Sequence, residues 1–388
     1  MTTTVFITGA TGFIGGRLAE VLCLEGKQKV RVQLRRAYAG ALRLARFDME
    51  LATTSLTDAE AMTAATKGCD VIYHLAFGTG GTPAEQRHIT VESTRALVEA
   101  AIANKVRRFV YVSTAAVYSS WPDGPMDETA ERRPWGWVYA DSKLEAENLV
   151  LNACAERGLN AVILQVAGVY GPWGATYTTA PLDQLKKGRV ALVADGSGIS
   201  NATYVDDVVQ ALLLAGSSNE HSGQFFLIKG PGTITRRTLY ETYAKMLGFG
   251  SERLVGMTER EISRSRRMQS MDTLKGIPKI AFRALVDSAP LRSAVSSSPL
   301  APWARKLKSA GLLKKPVLEV PSASADQVAP SPEAPLVLPD PFMLSQFAKR
   351  TEIRTGKAEK LLGYKPQIAL NEGMRLTEAW ARWARIIP

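Results

Sequence analysis

The chain has 388 residues, 46% of them apolar and 22% charged, with a formal net charge of +11. That length and balance suit one large α/β domain with a smaller one beside it, and no apolar run reaches the roughly 18 residues that a membrane-spanning helix needs. The charge is uneven: residues 260–315 hold 13 Lys/Arg against 3 Asp/Glu, so the remainder is near neutral and the protein does not read as a nucleic-acid binder.

The N-terminus passes from "MTTT" straight into an apolar strand, so no secretory signal is expected. Cys23, Cys69 and Cys154 are odd in number and far apart, which suits a reducing, cytoplasmic setting without a disulfide framework. His74, His88 and His221 have no metal-ligand spacing, and no metal site is expected.

In chain order, "TVFITG" (4–9) reads as a strand and 15–24 as a helix. "VRVQL" (30–34), "DVIYHLA" (70–76) and "RFVYVST" (108–114) are further strands, the last two separated by a helix over about 90–104. A helix over 139–156 precedes the strand "AVILQVA" (161–167), and "QFFLI" (224–228) supplies a final strand. These runs are apolar throughout, not alternating, as in strands covered on both faces. The fold class expected is a doubly wound parallel-sheet Rossmann α/β domain over 1–171 with about 201–228. A smaller α/β substrate domain is expected over 172–200 and 229–388. It contains the basic insertion 260–315 and a connector, 316–341, with seven prolines.

"TGATGFIGG" (8–16) joins the first strand to the first helix. Gly9 permits the tight turn, Gly12 lets backbone N–H groups approach a pyrophosphate at the positive end of the helix, and Gly15 permits close helix–strand packing. The second strand ends in Arg35 and Arg36, where an NAD-preferring fold usually carries an acidic residue for the ribose hydroxyl. A guanidinium suits a 2′-phosphate, so NADP is favoured over NAD.

"YADSK" places Tyr139 and Lys143 one helical turn apart, on one face. A free tyrosine, with a pKa of about 10, is too weakly acidic to serve as a base at neutral pH. An adjacent ammonium and a cationic nicotinamide both favour the phenolate. Ser113 and Thr114 end the preceding strand, and either hydroxyl is placed to hold a substrate oxygen.

Together, "TGATGFIG", "HLA", "VSTAAVY", "YADSK", "GVYGP", "YVDDVVQA" and "KAEKLLGYKP" resemble the extended short-chain dehydrogenase/reductases, the NAD-dependent epimerase/dehydratase group, over about 4–250 and 350–380. The resemblance implies Thr114, Tyr139 and Lys143 as the catalytic set. It implies Gly9, Thr11, Gly12, Phe13, Ile14 and Gly15 around the pyrophosphate, Leu75 and Ala76 lining the cofactor, and Val166 near the nicotinamide. Ser55 and Leu56 stand where the family meets the adenine, with Ser55 in place of an aspartate. Thr90 replaces a common asparagine, and Gln165–Val166 replace Arg-Pro. Ala115 and Ala116 stand where sugar dehydratases carry Asp-Glu, which disfavours dehydration. Asn201, with no arginine before "YVDD", weakens a nucleotide-sugar reading without excluding it, since Arg189 or Arg236 could take that arginine's place at a phosphate.

The expected activity is that of an oxidoreductase or epimerase, with hydride transfer at a hydroxyl or keto carbon of a sugar or sugar-like substrate, free or nucleotide- or lipid-linked; the alternative is an NADPH-dependent reductase or dehydrogenase of a hydrophobic ketone or sterol-like alcohol. A non-catalytic dinucleotide sensor is the alternative of another class. The family suggests a homodimer by analogy, and the basic insertion suggests peripheral contact with an anionic membrane.

Overall fold

The computed structural model describes residues 2–36, 44–269, 334–340 and 344–388. Most of the basic insertion and of the proline-rich connector lies outside the described residues. So does any membrane contact made through them.

Seven strands form the central sheet: β1 (Thr4–Thr8), β2 (Lys29–Leu34), β3 (Glu50–Thr53), β4 (Val71–His74), β5 (Arg108–Thr114), β6 (Ala161–Val166) and β7 (Gln224–Ile228). Every neighbouring pair is parallel, in the order β3-β2-β1-β4-β5-β6-β7. The helices between them are α1 (Phe13–Glu25), α2 (Ala59–Ala65), α3 (Pro83–Ala103), α4 (Val138–Arg157), α5 (Ala180–Lys187) and α6 (Val205–Ser217). This is the doubly wound α/β fold the apolar runs imply.

Alternation along each strand splits the core between the two faces. Val5 and Ile7 pack with Leu18 and Leu22 of α1 and Val208 and Leu212 of α6. Phe6, Ile72 and Phe109 point the other way, toward Leu97 and Ala100 of α3 and Ala146 and Val150 of α4. Strand order reverses between β1 and β4, and a crevice outside the carboxyl ends of strands at such a point is where open α/β sheets bind ligands.

Residues expected in a smaller domain build a further layer. A short parallel pairing joins 189–190 to Leu336–Val337, and Leu254–Met257 flanks the other side. Tyr170, Leu182, Leu239, Tyr243 and Met374 form its core with α5, α7 (Arg236–Met246) and the helix Leu370–Trp383. By compactness, 1–256 and 335–388 form one unit. No helix among the described residues is long and apolar enough to cross a membrane.

Gly15 shows how closely α1 approaches β1. A Cβ there would lie 2.8 Å from the Gly9 carbonyl carbon and nearer still to its oxygen. Both partners are backbone, so neither can yield cheaply. Gly15→Ala is expected to cost about 1–3 kcal/mol of stability and to weaken dinucleotide binding. Urea unfolding and a cofactor titration on the same variant check both.

Candidate active site

The glycine turn is built for an anion. Gly9 has φ +72°, and a Cβ on it would come within 2.9 Å of the Ala76 nitrogen. Gly12 is the N-cap of α1 and offers no side chain to its first N–H groups. Those donors stay available at the positive end of the helix. Thr11, Phe13 and Ile14 are half-buried around them.

Behind the turn, His74 is fully buried and satisfied. Thr8 Oγ1 accepts from the Leu75 and Ala76 N–H groups at 3.2 and 3.3 Å and lies 2.7 Å from His74 Nδ1. That assigns the Thr8 proton to Nδ1, and His74 Nε2–H to Thr94 Oγ1 at 3.0 Å. Burial, with the Lys143 charge, holds the imidazole well below its usual pKa. It ties the β1 and β4 ends together and is no metal ligand. Among the described residues there is no cluster of potential metal ligands. Thr90 Oγ1, in the place of the common asparagine, accepts from Gly78 N–H at 3.0 Å and holds the loop after β4.

Arg35 and Arg36 are exposed at the end of β2. Gln33 Nε2 donates to Thr54 O at 2.6 Å and fixes the neighbouring backbone. Ser55 is exposed and bonded to Thr57 at 3.1 Å. Leu56 packs partly into the core under α3. Val166 is buried and in register with Thr114 across β5 and β6.

Thr114, Tyr139 and Lys143 come together at the carboxyl edge of the sheet. Thr114 ends β5 and accepts from Ala116 N–H at 3.2 Å, with its hydroxyl near the Tyr139 phenol. Ser113, the other strand-end hydroxyl, turns instead toward Glu147. Burial pushes the Tyr139 phenol up to about 12, with the Thr114 hydroxyl opposing the rise and Tyr177 adding to it. Lys143 is 2% exposed, and its Nζ donates to Val112 O at 2.8 Å. Burial brings its ammonium down to about 7, with Glu147 pulling the other way.

Glu147, one turn beyond Lys143 on α4, is a residue the sequence reading missed. It is fully buried, and Gln165 Nε2 donates to both its oxygens at 3.0 Å. Arg132 adds a hydrogen-bonded ion pair at 2.8 Å and stacks on Phe225 at 3.8 Å. Gln165 Oε1 in turn accepts from the Tyr118 hydroxyl at 2.6 Å. Burial raises the Glu147 carboxyl against these donors. The i, i+4 spacing from Lys143 was the available signal; Arg132 and Tyr118 gave none.

Aromatic rings surround the phenol. Phe77 lies 5.3 Å and Trp137 5.2 Å from the Tyr139 ring, and Trp135 stands 5.6 Å from Trp137. Trp135 Nε1 donates to Ala116 O at 2.9 Å. Ala115 and Ala116 are buried and carry no acid or base.

The other family-like segments are structural. Asp206 takes Arg17 in two bonds of 2.6 and 3.0 Å, tying α6 to α1. Asp207 accepts from the N–H groups of Gln367 and Ile368. Asn201 bonds both sides of the 351–353 strand, donating to Thr351 O at 2.8 Å and accepting from Ile353 N–H at 3.1 Å.

The family model for the NAD dependent epimerase/dehydratase family matches residues 5–228. The chain is 28% identical over 230 residues to a 4-hydroxy-2-methyl-3-oxo-4-farnesyl-3,4-dihydroquinoline-1-oxide ketoreductase of Stigmatella aurantiaca, covering 58% of this chain and 68% of that one. It is 26% identical over 299 residues to a dTDP-glucose 4,6-dehydratase of Streptomyces niveus, covering 72% and 87%. Among solved structures, a UDP-glucose 4-epimerase of Thermotoga maritima superposes with a TM-score of 0.67 at 20% identity, over 99% of this chain and 100% of that one. At that identity the likeness is one of fold.

In the folded protein without cofactor, the Lys143 ammonium reaches about 7, below the roughly 10.4 of an unfolded lysine. Between these values the unfolded chain binds the extra proton, so stability rises with pH and is lost as pH falls toward 7. We expect unfolding free energy to climb from pH 7 to pH 9, and Lys143→Met to flatten that slope. Denaturant titrations across the range measure it.

Proposed function

The chain belongs to the NAD dependent epimerase/dehydratase family, and on that premise we propose that it exchanges hydride at a hydroxyl or keto carbon, with Tyr139 as acid and base. The observation that carries this reading is the meeting of Thr114, Tyr139 and Lys143 at the sheet edge, beside an uncapped glycine turn. Thr114 orients the substrate oxygen. Tyr139 removes or returns its proton. Lys143, one helical turn from Tyr139, favours the phenolate when it is charged.

The glycine turn fits a dinucleotide. Gly9, Thr11, Gly12, Phe13, Ile14 and Gly15 would hold its pyrophosphate, and Leu75, Ala76 and Val166 would line the rest. Lys143 would bond the nicotinamide ribose, and Ser55 and Leu56 would meet the adenine. A bound nicotinamide supplies the hydride acceptor or donor. Arg35 and Arg36 support NADP over NAD, because each exposed guanidinium matches a 2′-phosphate. The substrate is a small molecule, sugar or sugar-like. Ala115 and Ala116 argue against dehydration, since neither can move a proton. The second reading, a hydrophobic ketone, is favoured by Phe77, Trp135 and Trp137, which offer flat apolar walls where hydroxyl-binding side chains would serve a sugar.

Tyr139→Phe should lower turnover by about 10²–10⁴-fold while cofactor affinity stays near wild type. Steady-state rates with a panel of secondary alcohols and ketones, beside a fluorescence titration of the reduced cofactor, test this; retained turnover removes Tyr139 from its role. Paired Arg35→Ala and Arg36→Ala changes should weaken NADP(H) about 10-fold or more and leave NAD(H) unchanged. Equal losses for both cofactors would overturn the preference.

A further inference from the structure

A four-residue turn, 171–174, carries a tryptophan where glycine or asparagine ordinarily stands. Gly174 N–H donates to Gly171 O at 3.0 Å and closes the turn. Pro172 holds its second position, and Trp173, the third, has φ +74°. That is the pattern of a type II turn, whose left-handed third position a bulky side chain adopts only at a cost. Trp173 is 48% exposed and stands 5.5 Å from Trp380 and 6.4 Å from Trp383. Trp383, at the end of the helix Leu370–Trp383, is 73% exposed. The three rings, with Ala175, Ala384 and Ile386, line an open groove of about 510 Å³.

The charge around this groove is positive. Lys186 Nζ donates to Ile386 O, and Arg382 and Arg385, both exposed, flank Trp383 along the chain. Glu378 is taken by Arg382 in two bonds of 3.1 and 2.7 Å. Asp183 and Lys187, a turn apart on α5, balance in sign. The charge left over is that of Lys186 and Arg385. A strained backbone that holds a large apolar ring toward solvent points to a use for the ring. Indoles beside cations suit the headgroup layer of a bilayer, where the ring meets the acyl boundary and the cation meets phosphate. A second copy of this face would bring like charges together instead.

We propose that the face formed by Trp173, Trp380 and Trp383 docks on an anionic bilayer surface, with Lys186 and Arg385 against the lipid phosphates. Every residue of the face lies in the unit that carries the sheet, so this contact is distinct from any made by the basic insertion 260–315. It also stands apart from the choice of substrate. Gly174, next to Trp173, is packed so that a Cβ there would come within 3.1 Å of the Phe13 ring. Phe13 opens α1 at the glycine turn. Docking through Trp173 therefore holds that turn close to the membrane.

The test uses the full chain with vesicles of phosphatidylcholine, alone or mixed with phosphatidylglycerol, in co-sedimentation at low salt. Wild type should bind the mixed vesicles more tightly. Joint Trp173→Ala and Trp383→Ala changes should weaken that binding about 10-fold or more. Joint Lys186→Gln and Arg385→Gln changes should weaken binding to the mixed vesicles about 10-fold and leave the neutral ones unaffected. Brominated lipid locates the contact. Trp303 is the tryptophan of the insertion, so in Trp303→Phe quenching of the remaining emission should persist, and Trp383→Phe should then reduce it. No binding to mixed vesicles, or binding and quenching that the tryptophan changes leave intact, overturns the proposal. So does a dimer, seen by sedimentation velocity without lipid, that the tryptophan changes dissociate, since the face would then be a contact between copies.

Discussion

The burial of Lys143 is the constraint to which much of the architecture near the sheet edge answers. Lys143 Nζ sits at the end of β5 with one backbone carbonyl, Val112 O, as its hydrogen-bond acceptor, and with the rings of Phe77 and Tyr111 at 5.4 and 4.8 Å. Left to burial alone, the amine would give up its proton. Glu147, one turn along α4, opposes that loss. A buried carboxylate is itself expensive, so it must be satisfied in turn. Gln165 and Arg132 do this, and Tyr118 orients Gln165. The chain of dependence therefore runs from a loop arginine, through a buried acid, to the ammonium beside the phenol.

The same logic explains why the fold brings these groups to this place. Parallel strands end together at one edge, and the crossover helices begin there. Thr114 closes β5, Tyr139 opens α4, and the glycine turn links β1 to α1. Each site residue thus hangs from a rigid element at its end, where side chains project past the sheet. His74 stiffens the junction by bridging Thr8 and Thr94, so the walls of the crevice are joined before any ligand arrives.

The surroundings of Tyr139 narrow the chemistry further. Aromatic side chains from two separate stretches, Phe77 and Trp137, pack against its ring. Rings of this kind exclude water and strengthen the electrostatic contacts they enclose. The cleft therefore has flat apolar walls, which favour substrates with an apolar face.

Whatever depends on neighbours within a turn or a strand was legible in the residues themselves. Glycines three apart after an apolar strand define a turn and a helix start, and a tyrosine four before a lysine shares its helical face, whatever surrounds them. The apolar runs likewise determined a sheet covered on both sides. What depends on approach between distant segments was decided only by the tertiary structure. Arg132 meets Glu147 through the loop that precedes α4, Asn201 braces a strand 150 residues away, and Arg236 finds Phe347 and Tyr177 from two other stretches. None of these leaves a period or a spacing in the sequence, because the distance that matters is through space and the chain's own order does not encode it.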